Sequence, residues 1–213
     1  FIIPGDNKDR FIVSKLPFEL DSDTNICLIE FVPDNKQLVH HLNAHLITYA
    51  REKNNHLLDV KPIINGDIHN DSTAFYQLNI PYDDGTFPKL QPSVSNYLPG
   101  VEALLYPDGI GVLRVNKQSA LLIKDIHYGP TPIMQTDHSH FNIYFDKNPP
   151  QRQIGEFILG TQGISPVIPP LVIPPNQVKM FETETTIPED ISVLTINPHM
   201  HLMSTYTSVY RVV

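Results

Sequence analysis

Prolines recur along the whole chain, and their number is the feature that most restricts its possible folds. The sequence has 20 prolines in 213 residues, and a proline inside a helix removes a hydrogen bond and clashes with the preceding turn. Turn-forming clusters lie at residues 83–85, 99–100, 107–109 and 188–190. This pattern is unsuited to a helical protein and is typical of many short strands joined by turns.

Strand-like segments occupy much of the remaining sequence, and most of them alternate in polarity or carry β-branched and aromatic residues. They cover residues 11–13, 25–31, 39–49, 103–105, 111–115, 120–128, 140–145, 153–159, 178–186, 192–198 and 204–213. One stretch, residues 47–57, is a weak candidate for an amphipathic helix. The number and spacing of the strand-like segments predict an all-β protein built from antiparallel sandwiches.

Residues 145–150, with the sequence Phe-Asp-Lys-Asn-Pro-Pro, have the composition of a linker between two domains. We therefore predict an N-terminal β-sandwich over residues 1–148 and a second sandwich over residues 151–213. The second segment is marginal in length for an independent sandwich and ends within an apolar strand. We expect it to be the start of a truncated, incomplete sandwich.

Charge and composition exclude several classes of function. The formal net charge of −8 argues against a nucleic-acid partner, because phosphate binding needs clustered Lys and Arg. No apolar run is long enough to span a bilayer, so no transmembrane segment is expected. Cys27 is the only cysteine, which excludes an internal disulfide and a cysteine-based zinc site.

The first two candidate metal-binding motifs lie in the predicted N-terminal sandwich. His40 and His41 are adjacent, and neighbouring side chains of a regular strand point to opposite faces. Both can bind one metal only if the backbone is irregular there, as at a bulge or a strand end. Otherwise one is buried and hydrogen-bonded and the other lies at the surface. His127 ends a strand just before Gly129, and it is either a ligand or a hydrogen-bonded core histidine. His41 and His45 also have the spacing of a helical zinc site, but the general-base Glu of that motif is missing.

The third candidate motif, formed by His199 and His201, lies near the end of the chain. On a strand, residues two apart point to the same face, so both imidazoles can bind one metal without a bend in the chain. His138 and His140 have the same spacing, but we interpret them as a solvated strand start. Three imidazoles from one domain and two from the next suit copper or zinc, and the residues alone leave both open.

The order of these motifs resembles that of the copper type II, ascorbate-dependent monooxygenases, which include peptidylglycine α-hydroxylating monooxygenase and dopamine β-monooxygenase. The shared features are His-His in an apolar strand at 40–41, Ile-His-Tyr-Gly at 126–129, and His-x-His at 199–201 after a proline-rich stretch. The Leu-Tyr-Pro-Asp-Gly turn at 105–109 and the Leu-Val-Ile-Pro-Pro segment at 171–175 are also similar to the family.

This resemblance implies two tandem antiparallel jelly-roll β-sandwiches separated by an open cleft, with one copper ion in each. His40, His41 and His127 would hold a copper ion that stores and delivers an electron. His199 and His201, together with a Met, would hold the second copper ion, where O₂ binds and oxygen is inserted into a C–H bond of a small-molecule or peptide substrate. Ascorbate or a similar reductant would return both ions to Cu(I). Because the family works in oxidising, secretory settings, we expect a secreted, periplasmic or cell-surface protein.

Two departures from the family pattern limit what the resemblance implies. The family's Met ligand lies well downstream of His-x-His, whereas Met203 is only two residues beyond His201. We therefore interpret Met203 as a packing residue and expect the second copper site to lack its Met. Asn197 occupies the position where the peptide-processing branch has an Arg that grips a substrate carboxylate. This difference argues against a glycine-extended peptide substrate.

Two other functions fit the same residues. The first is a non-catalytic double β-sandwich binding module on a cell surface, which keeps some histidines as metal or structural residues. The second is a zinc hydrolase built on the same ligands, in which an acidic residue acts as general base. Asp125 is the one acidic residue within these motifs, and it shares a strand face with His127. It could instead orient an imidazole or lie at the surface.

Overall fold

The chain divides into two compact units, Phe1–Glu156 (unit 1) and Phe157–Val213 (unit 2). The division falls a few residues beyond the linker predicted at 145–150. The structure is a computed structural model, and it describes residues 1–53, 57–59, 63–64, 71–101, 103, 105–146, 148, 150–160, 163–198 and 203–212.

Unit 1 consists almost entirely of short strands. They are β1 (Ile2–Ile3), β2 (Arg10–Glu19), β3 (Thr24–Val32), β4 (Val39–Thr48), β5 (Ile63–Ile64), β6 (Lys89–Tyr97), β7 (Ile110–Val115), β8 (Gln118–Tyr128), β9 (Gln135–Thr136), β10 (His140–Asp146) and β11 (Arg152–Gln153). A short helix, α1 (Asp71–Gln77), lies between β5 and β6. Within the described residues, no helix has the length and apolar character needed to cross a membrane.

The strands of unit 1 form two main sheets. The first has five antiparallel strands in the order β5-β2-β8-β4-β6, so the three long strands β2, β8 and β4 lie at its centre. The second has four strands in the order β10-β3-β7-β11, in which β11 runs parallel to β7 and the other pairs are antiparallel. The short strands β1 and β9 pair separately.

The two main sheets pack face to face around apolar side chains from both. Phe31 of β3 belongs to a buried cluster with Leu42 of β4 and Ile126 of β8. Ile26, also on β3, packs in a second cluster with Leu121 of β8. The antiparallel, all-β sandwich predicted for the N-terminal domain is therefore confirmed for unit 1. The jelly-roll connectivity stays a prediction.

The outer face of the five-stranded sheet is covered at one end. Ile47 of β4 and Leu122 of β8 pack there against Leu78, which follows α1. Burial on both faces accounts for the continuous apolar run at residues 120–123, because a strand in a middle layer has no solvent side. The outer face at the other end of β8 carries polar, partly exposed side chains, and the candidate metal ligands lie there.

Sequence patterns miss α1, β6 and the two-residue strands β1, β5 and β9, and they extend other elements too far. β6 contains Pro92, which argues against a strand interior, but β6 lies at the edge of its sheet, where proline is tolerated. Helix α1 has seven residues, too few for helical periodicity to be recognised. The weak helix predicted at 47–57 begins inside β4, and of the strand predicted at 153–159 only Gln153 lies in a strand.

Unit 2 has little regular structure among its described residues. An antiparallel bridge joins Ile168 to Glu182, and the segments 178–186, 192–198 and 204–212 are otherwise irregular where the sequence predicts strands. Many of their apolar side chains are exposed. A strand needs a paired neighbour and a surface to pack on, so β-branched composition alone does not produce one.

Tyr128, the residue after His127, anchors β8 to the segment before β10. Its side chain is buried, and its hydroxyl donates a hydrogen bond to Asp137 Oδ2 at 2.8 Å. Burial, together with this bond to a carboxylate, raises the pKa of the Tyr128 hydroxyl above its usual range. The last residue of β8, directly beside the candidate ligand His127, is therefore fixed in position.

We expect Tyr128→Phe to lower the free energy of unfolding by about 1 kcal/mol, because a buried hydrogen bond is lost while Asp137 keeps Ser139 and Asn35 as donors. Urea denaturation measures this change. Tyr144→Phe is the matched control, since the Tyr144 hydroxyl donates to Glu30 at 3.1 Å on the protein surface. The control should change the free energy by less than about 0.5 kcal/mol, and equal losses in the two variants would contradict the role of burial.

Candidate metal centre

A β-bulge at His40 brings the two adjacent histidines toward one site. In the β4–β8 pair, Val39 is opposite Tyr128 and His41 is opposite His127, so His40 is an extra residue without an opposite partner. A bulge of this kind bends the strand and redirects a side chain. The structure thus has the irregular backbone that His40 and His41 need in order to bind one metal ion.

A second bulge, at Lys124, determines which face His127 occupies. Ile123 is opposite Ala44 and Asp125 is opposite Asn43, so β8 has one residue more than β4 between these pairs. Ile123 and Ile126 both belong to the core between the two sheets. Side chains alternate along a regular strand, and without the extra residue His127 would point into the core with Ile123. With it, Asp125 and His127 lie on the outer face.

The three histidines predicted for the N-terminal site converge around His127. The centroid of its ring lies 4.8 Å from that of His40 and 5.1 Å from that of His41. Phe11 is opposite His127 in the β2–β8 pair and stacks on it, with centroids 4.2 Å apart and planes 13° from parallel. The stacked Phe11 ring restricts the orientation of His127, so the central imidazole of the trio is held in place.

Asp9 lies in the same cluster, and sequence reasoning did not identify it. Its Oδ1 is 2.7 Å from His127 Nε2. The potential ligand atoms of Asp9, His40 and His127 all lie within 4.8 Å of one another, the one such group found among the described residues. Asp9 directly precedes β2, in which Phe11 is opposite His127. Only the β2–β8 register, which the sequence does not reveal, places it beside His127.

His41 lies next to this group but is held by a different carboxylate. Its Nε2 is 3.3 Å from Asp125 Oδ2, and the pair is partly exposed. The other carboxylate oxygen of Asp125, Oδ1, is buried and has no hydrogen-bond partner in the protein. Asp125 therefore contacts His41 rather than His127, and it orients one imidazole of the trio.

Gly129 allows His40 to approach the end of β8. A Cβ atom at this position would lie 2.5 Å from His40 Nε2, which is well inside van der Waals contact. The Gly129 N–H donates to the Leu38 carbonyl at 2.7 Å, so the backbone is fixed on both sides of the bulge. The glycine of the Ile-His-Tyr-Gly motif is thus needed for the position of a ligand on another strand.

Of the remaining histidines named from the sequence, those that the structure describes lie outside this cluster. His199 and His201 lie outside the described residues, and the described Met203 is exposed. His138 and His140 are exposed, as expected for a solvated strand start. The helical zinc site suggested by the spacing of His41 and His45 is wrong, because both residues lie on strand β4 and His45 Nδ1 accepts a hydrogen bond from the Ser93 N–H at 3.0 Å.

Comparison of the chain with family models, with curated proteins and with solved structures gave no match. The geometry and chemistry of the cluster are therefore the basis for a functional proposal.

The donor set fits a first-row transition metal. Imidazole nitrogen suits copper and zinc, and such metals bind imidazole at about 2.0–2.1 Å with ligand atoms roughly 3.4 Å apart in a tetrahedral site. The ligand atoms of Asp9, His40 and His127 lie within 4.8 Å of one another, so an ion bound by all three would draw them closer to these separations. Asp125 supplies the carboxylate that commonly orients a metal-bound imidazole.

We expect Asp125→Asn to weaken metal binding by about tenfold, because His41 loses the carboxylate that orients it. Titration of the purified chain with Cu²⁺ against a competing chelator measures the change. Asp21→Asn is the control, since Asp21 is exposed beyond the opposite end of β2. Equal affinities for wild type and Asp125→Asn would show that Asp125 does not position a ligand.

Proposed function

We propose that this chain is a copper-dependent monooxygenase module and that unit 1 binds one copper ion through His40, His41 and His127. The observation that supports the proposal is the convergence of the three imidazoles on the outer face of the five-stranded sheet. Two separate bulges are needed to produce it, one at His40 and one at Lys124. Bulges that re-aim side chains are common beside functional sites, which favours a binding role over an incidental grouping.

The residues of the site are suited to a metal that changes oxidation state. Copper bound there would supply one-electron chemistry between Cu(I) and Cu(II). Imidazole nitrogen is a ligand for copper in both states. Phe11 and Asp125 hold two of the rings, and His40 is exposed. A small reductant such as ascorbate can therefore reach the edge of the site from solvent.

The proposed reaction is the hydroxylation of a C–H bond in a small molecule or peptide with O₂ and a reductant such as ascorbate. We assign its catalytic ligands to His199 and His201, the His-x-His pair that would hold a second copper ion. The proposal includes export to the periplasm, the cell surface or the medium, where the resembling family operates.

Copper stoichiometry and oxygen uptake together test this function. The 213-residue chain is loaded with Cu²⁺ and dialysed, copper is counted by mass spectrometry, and oxygen consumption is followed with ascorbate. We expect two copper ions per chain, and we expect His199→Ala to lose one ion and the ascorbate-driven oxygen uptake. A chain that retains no copper after dialysis would overturn the proposal.

One observation favours a second candidate, a non-catalytic double-sandwich binding module with a structural metal. The carboxylate of Asp9 lies among the imidazoles, and two His with one Asp form a donor set that also suits zinc. Competition between Zn²⁺ and Cu²⁺ separates the two candidates. Preferential zinc binding, with no oxygen uptake in the presence of copper and ascorbate, would favour the binding module.

A further inference from the structure

We propose that Asp9 is a fourth, oxygen ligand of the imidazole site and that it binds the oxidised, cupric ion selectively. This inference rests on the proposed copper function of the same site. It adds a residue outside the three histidines, and it states which oxidation state of the metal that residue favours.

The position of Asp9 relative to two histidines supports a ligand role. Its Oδ1 lies 2.7 Å from His127 Nε2, a hydrogen-bond distance that places the carboxylate directly against the ring nitrogen. Its carboxylate also lies within 4.8 Å of a ring nitrogen of His40. A carboxylate that only oriented His127 would not need to be close to His40. Asp9 therefore faces the point between the two rings where an ion would bind.

The carboxylate of Asp9 is not neutralised by the neighbouring arginine. Arg10 directs its guanidinium to the side chain of Asp6, and its contact with Asp9 is a 3.5 Å hydrogen bond to the backbone carbonyl. The Asp9 side chain is half exposed, so it can turn the short distance needed to reach an ion. Its negative charge thus remains available to a cation at the cluster.

The chemistry of the carboxylate indicates which oxidation state it favours. Carboxylate oxygen is a harder donor than imidazole, and Cu(II) accepts mixed nitrogen and oxygen ligands in a tetragonal arrangement, whereas Cu(I) prefers softer ligands. The negative charge also stabilises a divalent ion more than a monovalent one. Asp9 should therefore strengthen Cu(II) binding and lower the reduction potential of the site.

The test compares the two oxidation states in the 213-residue chain carrying Asp9→Asn. Cu²⁺ affinity is measured by competition with a chelator, and Cu⁺ affinity by anaerobic competition with a Cu⁺-specific chromophoric chelator. We expect Asp9→Asn to weaken Cu²⁺ binding by about tenfold or more, to leave Cu⁺ binding unchanged, and to alter the copper hyperfine splitting in the electron paramagnetic resonance spectrum. Asp21→Asn, which removes an exposed carboxylate beyond the opposite end of β2, is the control and should behave as wild type.

Three results would overturn the inference. Unchanged Cu²⁺ affinity in Asp9→Asn would show that Asp9 is not a ligand. An equal loss of Cu²⁺ and Cu⁺ affinity would show that it only orients His127. Both results leave the proposed copper function intact, because wild type still binds copper. Failure of the wild-type chain to bind copper would remove the proposed function together with the inference.

Discussion

Substitution of His127 by Ala should remove the copper ion from unit 1 and leave the sandwich folded. His127 is the central member of the site, because its ring packs edge-on against those of both His40 and His41 and contacts Asp9. The side chain is 15% exposed and lies outside the core clusters of unit 1, so the fold loses little packing beyond the stacked Phe11 ring. We expect copper affinity at this site to fall more than about 100-fold, since a ligand contributes more than the residues that orient it.

Copper counted after dialysis of the His127→Ala chain measures the effect, and circular dichroism checks that the fold is retained. The ion assigned to His199 and His201 should remain, because that motif lies in the other unit. His138→Ala is the control, since His138 is exposed and outside the cluster. A folded His127→Ala chain that keeps its full copper content would contradict the assignment of this site, and loss of both ions would contradict two independent sites.

The convergence of the histidines was partly predictable from the sequence. The His40-His41 pair could share a metal only at an irregular point of the backbone, and such a point exists at the bulge. The bulge at Lys124 was not predicted, although the sequence carries a signal for it. Ile123 and Ile126 are both core residues but are three positions apart, whereas regular alternation places core residues two apart.

Asp9 could not be found from the sequence. It lies 118 residues from His127 along the chain, and no motif links the two residues. Their contact depends on the antiparallel register in which Phe11 is opposite His127. Strand order and register arise from side-chain packing between distant segments, and local composition does not encode them. A search limited to motifs therefore finds the imidazoles and misses the carboxylate.

The fold was predictable where the chain packs on itself and unpredictable where it does not. The central strands β4 and β8 were predicted nearly in full because their apolar residues are buried between layers, whereas only residues 11–13 of β2 were predicted. In unit 2, segments of similar composition remain irregular in the described residues, and residues such as Val178 and Tyr210 are exposed. Strand-like composition is thus necessary for a sheet but not sufficient, because a strand also needs a neighbouring strand to pair with and a surface to pack on.

Gly129→Ala should weaken metal binding although it replaces none of the proposed ligands. A methyl group at residue 129 would lie 2.5 Å from His40 Nε2, whereas carbon and nitrogen atoms in contact are roughly 3.5 Å apart. The ring of His40 must therefore move by about 1 Å. Gly129 does not have the left-handed backbone conformation that disfavours alanine, so the clash with His40 is the main consequence of the substitution. Because His40 is exposed and can turn into solvent, we expect the free energy of unfolding to change by less than about 0.5 kcal/mol.

Metal affinity should respond much more strongly than stability to this methyl group. A ligand set must be held within about 0.5 Å of its productive geometry, and a displacement of about 1 Å removes His40 from the site. We expect Cu²⁺ affinity to fall by up to about 100-fold. Gly155→Ala is the matched control, since no atom lies within 4 Å of a Cβ there, and it should change neither affinity nor stability. A Gly129→Ala chain with wild-type affinity would show that His40 is not a ligand, while the imidazoles of His41 and His127 could still bind the ion with Asp9.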